Sequence, residues 1–156
     1  MLTKIDKTDL SILKILQKNG KITNVQLSHE IGLSPAPTLE RVRKLENNGV
    51  IESYHALVNE SKLGLSIKTF ILLTLTHHKK DDIKSFIEAI DRIEEVVECY
   101  HVTGQGDFLL KVISKDIAAY ERLILDKLTS FDGLGHIQSF MVLSCIKDTK
   151  LLPMDY

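Results

Sequence analysis

Residues 22–46 read Ile22-Thr23-Asn24-Val25-Gln26-Leu27-Ser28-His29-Glu30-Ile31-Gly32-Leu33-Ser34-Pro35-Ala36-Pro37-Thr38-Leu39-Glu40-Arg41-Val42-Arg43-Lys44-Leu45-Glu46. Thr23 with Gln26 three residues on has the form of a capping box, and Ile22 against Leu27 is the matching hydrophobic staple. The helix so begun is brief, because Gly32 accepts the left-handed conformation that closes a helix. Ser34 then caps a further helix with Pro35 at its first position. That helix runs through Arg41-Val42-Arg43-Lys44-Leu45-Glu46 and stops at Asn47-Asn48-Gly49. Upstream, Asp6 caps a first helix whose apolar positions Leu10, Leu13 and Leu16 recur at three-residue steps, with Ile12 and Ile15 widening the stripe and Asn19-Gly20 ending it. Two short helices around a tight glycine turn, supported by a helix before them, make the helix-turn-helix arrangement.

The third helix then divides into two faces. Thr38, Val42 and Leu45 fall together and are expected to pack on the first two helices. Ala36, Pro37, Glu40, Arg43 and Lys44 lie opposite, with Arg41 at the margin. Long cations at Arg41, Arg43 and Lys44 suit phosphate contacts. The small residues of the first turn, Ala36 and Pro37 with Thr38 counted beside them, suit the entry of a helix end into a major groove. The helix starts at Thr23-Asn24 and Ser34 add exposed amides for phosphate. A solvated amphipathic cluster remains the alternative reading of the same pattern.

The whole chain of 156 residues carries a net charge of −1, 44% hydrophobic and 26% charged residues, no tryptophan and two cysteines. That composition excludes disordered, collagen-like and disulfide-dense chains. Residues 1–60 hold 8 Lys/Arg against 7 Asp/Glu, and residues 61–156 hold 12 against 14. Near-neutrality therefore averages a locally basic helix with acidic neighbours. One such head offers few cations, so useful DNA affinity calls for several heads acting together. The start, Met1-Leu2-Thr3-Lys4-Ile5-Asp6, lacks the apolar core of a secretory signal, and no stretch is apolar enough to span a bilayer. A cytoplasmic, nucleoid-associated protein without membrane contact is expected.

The hydrophobic period changes after Gly49. Gly49–Val58 reads as a strand, and Asn59-Glu60-Ser61-Lys62-Leu63-Gly64 as a polar linker. The second half reads as strand, helix, strand, twice over. Strands are expected at Ile67–Thr76, Val96–Thr103, Phe108–Ser114 and Ile137–Ile146. One helix opens at Asp81/Asp82 and carries Ile83, Phe86, Ile87 and Ile90. The other is capped by Asp116 and carries Ile117, Tyr120, Leu123, Ile124 and Leu128. This βαββαβ order is the ferredoxin-like arrangement, so the fold class is α+β: a three-helix helix-turn-helix domain joined by a strand to a ferredoxin-like domain. The expected divisions are 1–50, 51–64, 65–147 and a tail at 148–156.

Such a sheet, with helices on one side only, should show polar residues on its free face. Here both faces are apolar. Ile67, Ile71, Leu73 and Leu75 share one face of the first strand, and Phe70 and Leu72 share the other. In the last strand Phe140 and Val142 alternate with Met141 and Leu143. A second copy covering the free face, hence a homodimer, is the expectation. An irregular core within one chain is the alternative.

Taken together, Asp6-Lys7-Thr8-Asp9 with Ile12-Leu13 and Leu16-Gln17, Gly32-Leu33-Ser34, Arg41–Glu46 with Gly49-Val50-Ile51, and Val102-Thr103-Gly104-Gln105-Gly106-Asp107-Phe108 resemble the Lrp/AsnC, or feast/famine, transcriptional regulators over essentially the whole length. Ser34–Arg41 and Glu98-Cys99 look closest to the leucine-responsive branch. The resemblance implies a DNA reader, a ferredoxin-like domain that dimerises, further assembly to forms such as an octamer, and a small-molecule effector, usually an amino acid, between dimers. It also implies that Thr103, Gly104 and Asp107 belong to the effector loop. Within that loop, Gly104 and Gly106 suit backbone approach to a ligand carboxylate beside Gln105, and Asp107 suits an α-ammonium. Gly-Gln-Gly-Asp is also good hairpin chemistry in its own right.

Nothing points to catalysis, a cofactor or a metal. The adjacent pair His77-His78 reads as a surface turn, Glu94-Glu95 as solvent-facing, and Cys99 and Cys145 as small buried hydrophobes without partners at zinc spacing. No phosphate loop, nucleophile elbow or paired carboxylate is apparent. A ligand-modulated regulator of double-stranded DNA is the leading reading. An architectural nucleoid-type protein and a metabolite-binding ferredoxin-like module that does not touch DNA are the alternatives.

Overall fold

A computed structural model describes residues 4–154. The elements run α1 (Lys7–Lys18), α2 (Asn24–Ile31), α3 (Pro35–Asn47), a 3-10 turn (Glu60–Leu63), β1 (Ile67–Leu75), α4 (Lys80–Asp91), β2 (Val96–His101), β3 (Phe108–Ser114), α5 (Ile117–Arg122) and β4 (Leu134–Met141). The helix α5 continues into a π-helical turn over Leu123–Leu128. Two units result. One runs up to Leu57 and takes back the chain from Lys147 onward; the other is Val58–Ile146.

In the first unit the three helices enclose Ile12, Leu13, Leu27 and Leu45, with Val42, Ile31, Val50 and Ile51 packed around them. The expected capping box at Thr23 and Gln26 forms. Gly32 adopts φ of +70°, a left-handed conformation that an L side chain rarely takes, and so closes α2 tightly. Ser34 occupies the cap position of α3, but its side chain makes no capping bond. Its carbonyl instead accepts from the Thr38 N–H at 3.3 Å and the Thr38 hydroxyl at 2.9 Å. Pro37 sits in the first turn, where its absent N–H would have had no helical partner.

The second unit is a four-stranded antiparallel sheet of order β2-β3-β1-β4, the ferredoxin-like order. Ile71, Leu73, Leu75, Leu110 and Val112 face the helices, where Phe86, Ile90, Leu123 and Leu128 meet them. Burial in β1 alternates strictly from Thr69 to Leu75, as one covered face requires. Of the apolar positions the two helices carry, Ile87 and Ile117 are 51% and 62% exposed.

β1 and β2 end slightly early, at Leu75 and His101, and two expected strands differ more. Gly49–Val58 forms no strand: Glu52–Asn59 is irregular, and Tyr54, Leu57 and Val58 are exposed. A strand exists only as part of a ladder, and no neighbouring strand is available to this segment within one chain. β4 begins at Leu134 and ends at Met141, so Leu143 and Ile146 fall outside it, 97% and 92% exposed. Its start reaches back because Gly135 fits against Thr74, whose hydroxyl lies 2.6 Å from where a Cβ would stand. Cys99 and Cys145 are free and exposed, not buried. Glu95, expected in solvent, is gripped by Lys127 at 2.7 Å, and that ion pair holds its carboxyl below the ordinary range.

Candidate functional site

The helix-turn-helix surface is built from α2, the Gly32 turn and α3. Ala36, Pro37, Glu40, Arg43 and Lys44 are exposed, as the face assignment requires. Arg43 is 60% exposed and only loosely paired with Glu40 at 3.5 Å. Those two groups sit on one solvated surface, where an ion pair contributes little and yields readily to a phosphate. Asn24 has another employment: it is half-buried, and its side-chain amide donates to the Pro35 carbonyl at 2.7 Å, bridging the start of α2 to the start of α3. Thr23 and Ser34 stay exposed at the two helix starts.

Of the expected DNA-contacting residues, one is corrected and another is found already engaged. Thr38 is fully buried and its hydroxyl bonds the Ser34 carbonyl, so it belongs to the core beneath the reading face. Arg41 is not a free cation. Its Nη1 lies 2.7 Å from Asp6 Oδ2 and 2.7 Å from Asp9 Oδ1. Those two aspartates also form the capping box of α1: the Asp9 N–H donates to Asp6 Oδ1 at 2.8 Å, and the Asp6 N–H to Asp9 Oδ2 at 3.2 Å. One set of charges thus starts α1 and clamps α3 to it. The Asp6 carboxyl is held below its ordinary value, first by the Asp9 N–H and then by Arg41, and the Arg41 guanidinium is pushed further up by both acids. The spacing Asp6-x-x-Asp9 carries the capping half of this arrangement in sequence; Arg41 lies 32 residues beyond Asp9, so only folding pairs them.

A second candidate region lies where β2 and β3 meet, over Thr103–Asp107. Gly104 has φ of +125°. Thr103, Gly104 and Gln105 are exposed. Gly106 is buried, and a Cβ there would stand 2.5 Å from Leu72 Cγ. Its small size therefore serves close packing on β1. Asp107 extends the β1–β3 ladder past its backbone end. Its N–H donates to the Leu73 carbonyl at 2.9 Å, and its Oδ2 accepts from the Leu75 N–H at 2.7 Å. The same oxygen lies 2.9 Å from His78 Nε2. The Leu75 N–H, then His78, hold the Asp107 carboxyl below its ordinary value. The carboxylate is thus set in place before any ligand arrives. His78 escaped sequence reasoning, because it is 29 residues from Asp107.

The sheet face away from the helices is unusual. Register places Glu98, Lys111, Phe70 and Phe140 in one row across four strands, and Tyr100, Leu109, Leu72 and Gln138 in the next. Lys111 Nζ lies 2.7 Å from Glu98 Oε1, and its side chain is only 11% exposed. The Tyr100 hydroxyl donates to Glu98 at 2.7 Å. Apolar and aromatic groups flank that pair, with Phe140 46% and Tyr100 50% exposed. Among the described residues no group of His, Cys, Asp and Glu could hold a metal ion, and no helix is long and apolar enough to cross a membrane.

Comparison with known proteins matches a family to each half of the chain. Residues 5–52 match the family described as winged helix-turn-helix DNA-binding, and residues 68–152 match the Lrp/AsnC ligand binding domain. The chain is 39% identical over 148 residues to the leucine-responsive regulatory protein of Escherichia coli K12, covering 95% of this chain and 90% of that one. The leucine-responsive regulatory protein of Klebsiella pneumoniae matches to the same extent. Among solved structures, a transcriptional regulator of Neisseria meningitidis in complex with L-Met superposes with a TM-score of 0.93 at 38% identity, covering 97% of this chain and 98% of that one. An AsnC family regulator of Agrobacterium tumefaciens gives 0.92 at 32% identity, covering 97% and 99%. With a helix-turn-helix reader in one unit and a ferredoxin-like ligand domain in the other, the chain belongs to the Lrp/AsnC family of transcriptional regulators.

Proposed function

We propose that this regulator reads double-stranded DNA with the exposed face of α3, as a dimer or higher assembly, and that a small amino acid shifts its DNA binding through the Thr103–Asp107 loop. The carrying observation is the contrast between Arg41, held by two carboxylates, and Arg43 and Lys44, which stand on the solvated face opposite the core. Arg43 and Lys44 serve as phosphate contacts and Ala36, Pro37 and Glu40 as groove-facing groups, while Thr23 and Ser34 present helix starts to the backbone.

The dimer follows from the open sheet face. Phe70, Leu72, Leu109 and Phe140 share that face with the Glu98–Lys111 pair, whose lysine is almost buried, a surface that water disfavours and a second copy would cover. Two heads in one particle restore by multivalency the affinity that one near-neutral head lacks. An amino acid suits the loop because Asp107 offers a fixed anion for an ammonium group. L-Met in the Neisseria meningitidis relative supports that class of ligand. A regulator so built has no catalytic duty and works where the chromosome is, in the cytoplasm.

Binding titrations against salt test the assignment. Replacing Arg43 or Lys44 by alanine should lower the slope of log K against log salt by about 1 for each phosphate left unneutralised per head. Arg41→Ala should weaken binding with the slope unchanged, since it removes a brace and no counterion-releasing group. An unaltered slope in both Arg43→Ala and Lys44→Ala would sink the reading of α3.

A further inference from the structure

The end of the chain does not stay with the sheet it leaves. After β4 the segment from Lys147 onward belongs to the helical unit. There the Gln17 side chain engages Leu152 at both backbone groups: the Leu152 N–H donates to Gln17 Oε1 at 2.6 Å, and Gln17 Nε2 donates to the Leu152 carbonyl at 3.4 Å. Gln17 Nε2 also lies 3.5 Å from Met154 Sδ. Met154 packs against the helical core around Ile12 and Leu13. A pocket of about 290 Å³ between Lys14, Gln17, Lys18 and Leu151–Met154 follows this seam. A primary amide that accepts from the N–H and donates to the C=O of one residue recognises an extended backbone, whatever its side chains; Met154 supplies the apolar part.

α1 therefore has two grips. Its first turn holds Arg41 of α3 through Asp6 and Asp9, and its last turn holds the C-terminal segment through Gln17. The chain also crosses between the two units twice, at Leu57–Val58 and at Ile146–Lys147. We propose that residues 151–154 are a working part of the DNA reader. Docked on α1, they fix the helix that in turn fixes α3, and they attach the end of the chain to the reading head by non-covalent contacts. The proposal rests on the reading of α3 as the DNA-contacting helix. By its route, Gln17 and Met154 are positioning residues that touch no nucleic acid.

The test uses the full-length protein and a labelled duplex selected by it from a random pool, with a random-sequence duplex as competitor. Gln17→Ala should weaken binding about fivefold, the equivalent of one missing neutral hydrogen bond, and should leave the salt slope and the particle mass by light scattering unchanged. Gln17→Glu, which keeps the acceptor for the Leu152 N–H, should recover part of that affinity. A chain ended at Ile146 should bind at least as weakly as Gln17→Ala, and a synthetic peptide of residues 147–156 added to it should restore binding. Unchanged affinity in both the point variant and the shortened chain overturns the proposal. A fall in salt slope overturns it too, by making Lys147 or Lys150 a direct phosphate ligand, as does a change in particle mass, which would place the tail in assembly. Failure of the unaltered protein to prefer its selected duplex would instead defeat the reading of α3, a separate result.

Discussion

The helical unit and the sheet unit differ in how much of their stability rests on apolar packing. The sheet unit encloses eleven buried apolar side chains in one cluster, from Ile71 and Phe86 to Leu128. The helical cluster has four, Ile12, Leu13, Leu27 and Leu45. At about 1.5–3 kcal/mol for each large apolar side chain removed from water, the sheet unit has much the larger hydrophobic reserve. The helical unit compensates with directed polar contacts: two capping boxes, the Asp6–Arg41–Asp9 clamp, the Asn24 bridge and Gln17 on the tail. The difference suits the division of labour. A ligand-binding domain is served by a stiff core, whereas a reading head needs its two DNA-side helices in a fixed mutual orientation, which bonds of defined direction supply.

The sharpest way to break this comparison is at Phe108. Its ring is 2% exposed, 4.5 Å from the Phe86 ring and 4.9 Å from the His101 ring. Phe108→Ala should cost the sheet unit about 3–5 kcal/mol, measured by urea denaturation. A cost below about 0.5 kcal/mol, the usual size of a surface substitution, would mean that the sheet core is not the stiff part.

A middle-sized effect is expected in the helical unit. Thr23→Ala removes a cap and half of its box, and should cost about 1 kcal/mol. Hydrogen exchange should show the weakening in α2 and at the start of α3, with the β1 and β3 amides unchanged. Spread of the effect into those strands would show that the two units unfold as one.

The smallest effect separates the units by acid. Asp6 in the helical unit and Asp107 in the sheet unit are both held below their ordinary value of 3.8. A depressed carboxylate contributes stability that is complete above the ordinary value and lost as pH falls through the folded one. Both contributions therefore decline below about pH 4. The helical unit, with less apolar reserve, should loosen first, and Asp6→Asn should flatten its acid limb. Amide exchange followed from about pH 5 to about pH 2.5 checks the order; simultaneous loosening of both units would erase the distinction.

How much of this was legible in sequence depends on the range of the signal. Caps and glycine stops act within about four residues, so Thr23–Gln26, Gly32 and the limits of α2 and α3 could be read directly. Strand alternation identified β1 and β3 and the apolar back face carrying Phe70 and Leu72. The β4 ends were misplaced, because Val142–Ile146 is as apolar as a strand and only the ladder with β1 decides where pairing stops. The same ladder argument removed the expected strand before Val58. At the candidate site, Arg43 and Lys44 were found by helical phase, whereas Arg41 lay at the margin of the two faces and Thr38 already sat on the inner one.

By itself, then, the sequence determined the element types, the helix-turn-helix and the antiparallel sheet with two apolar faces, since each depends on periodicity and on residues a turn apart. Only the tertiary structure decided which polar groups are already engaged. Arg41 meets Asp6 and Asp9, His78 meets Asp107, Lys111 meets Glu98 and Gln17 meets Leu152. Each pair joins residues distant along the chain, and a side chain's partner is set by where folding brings it.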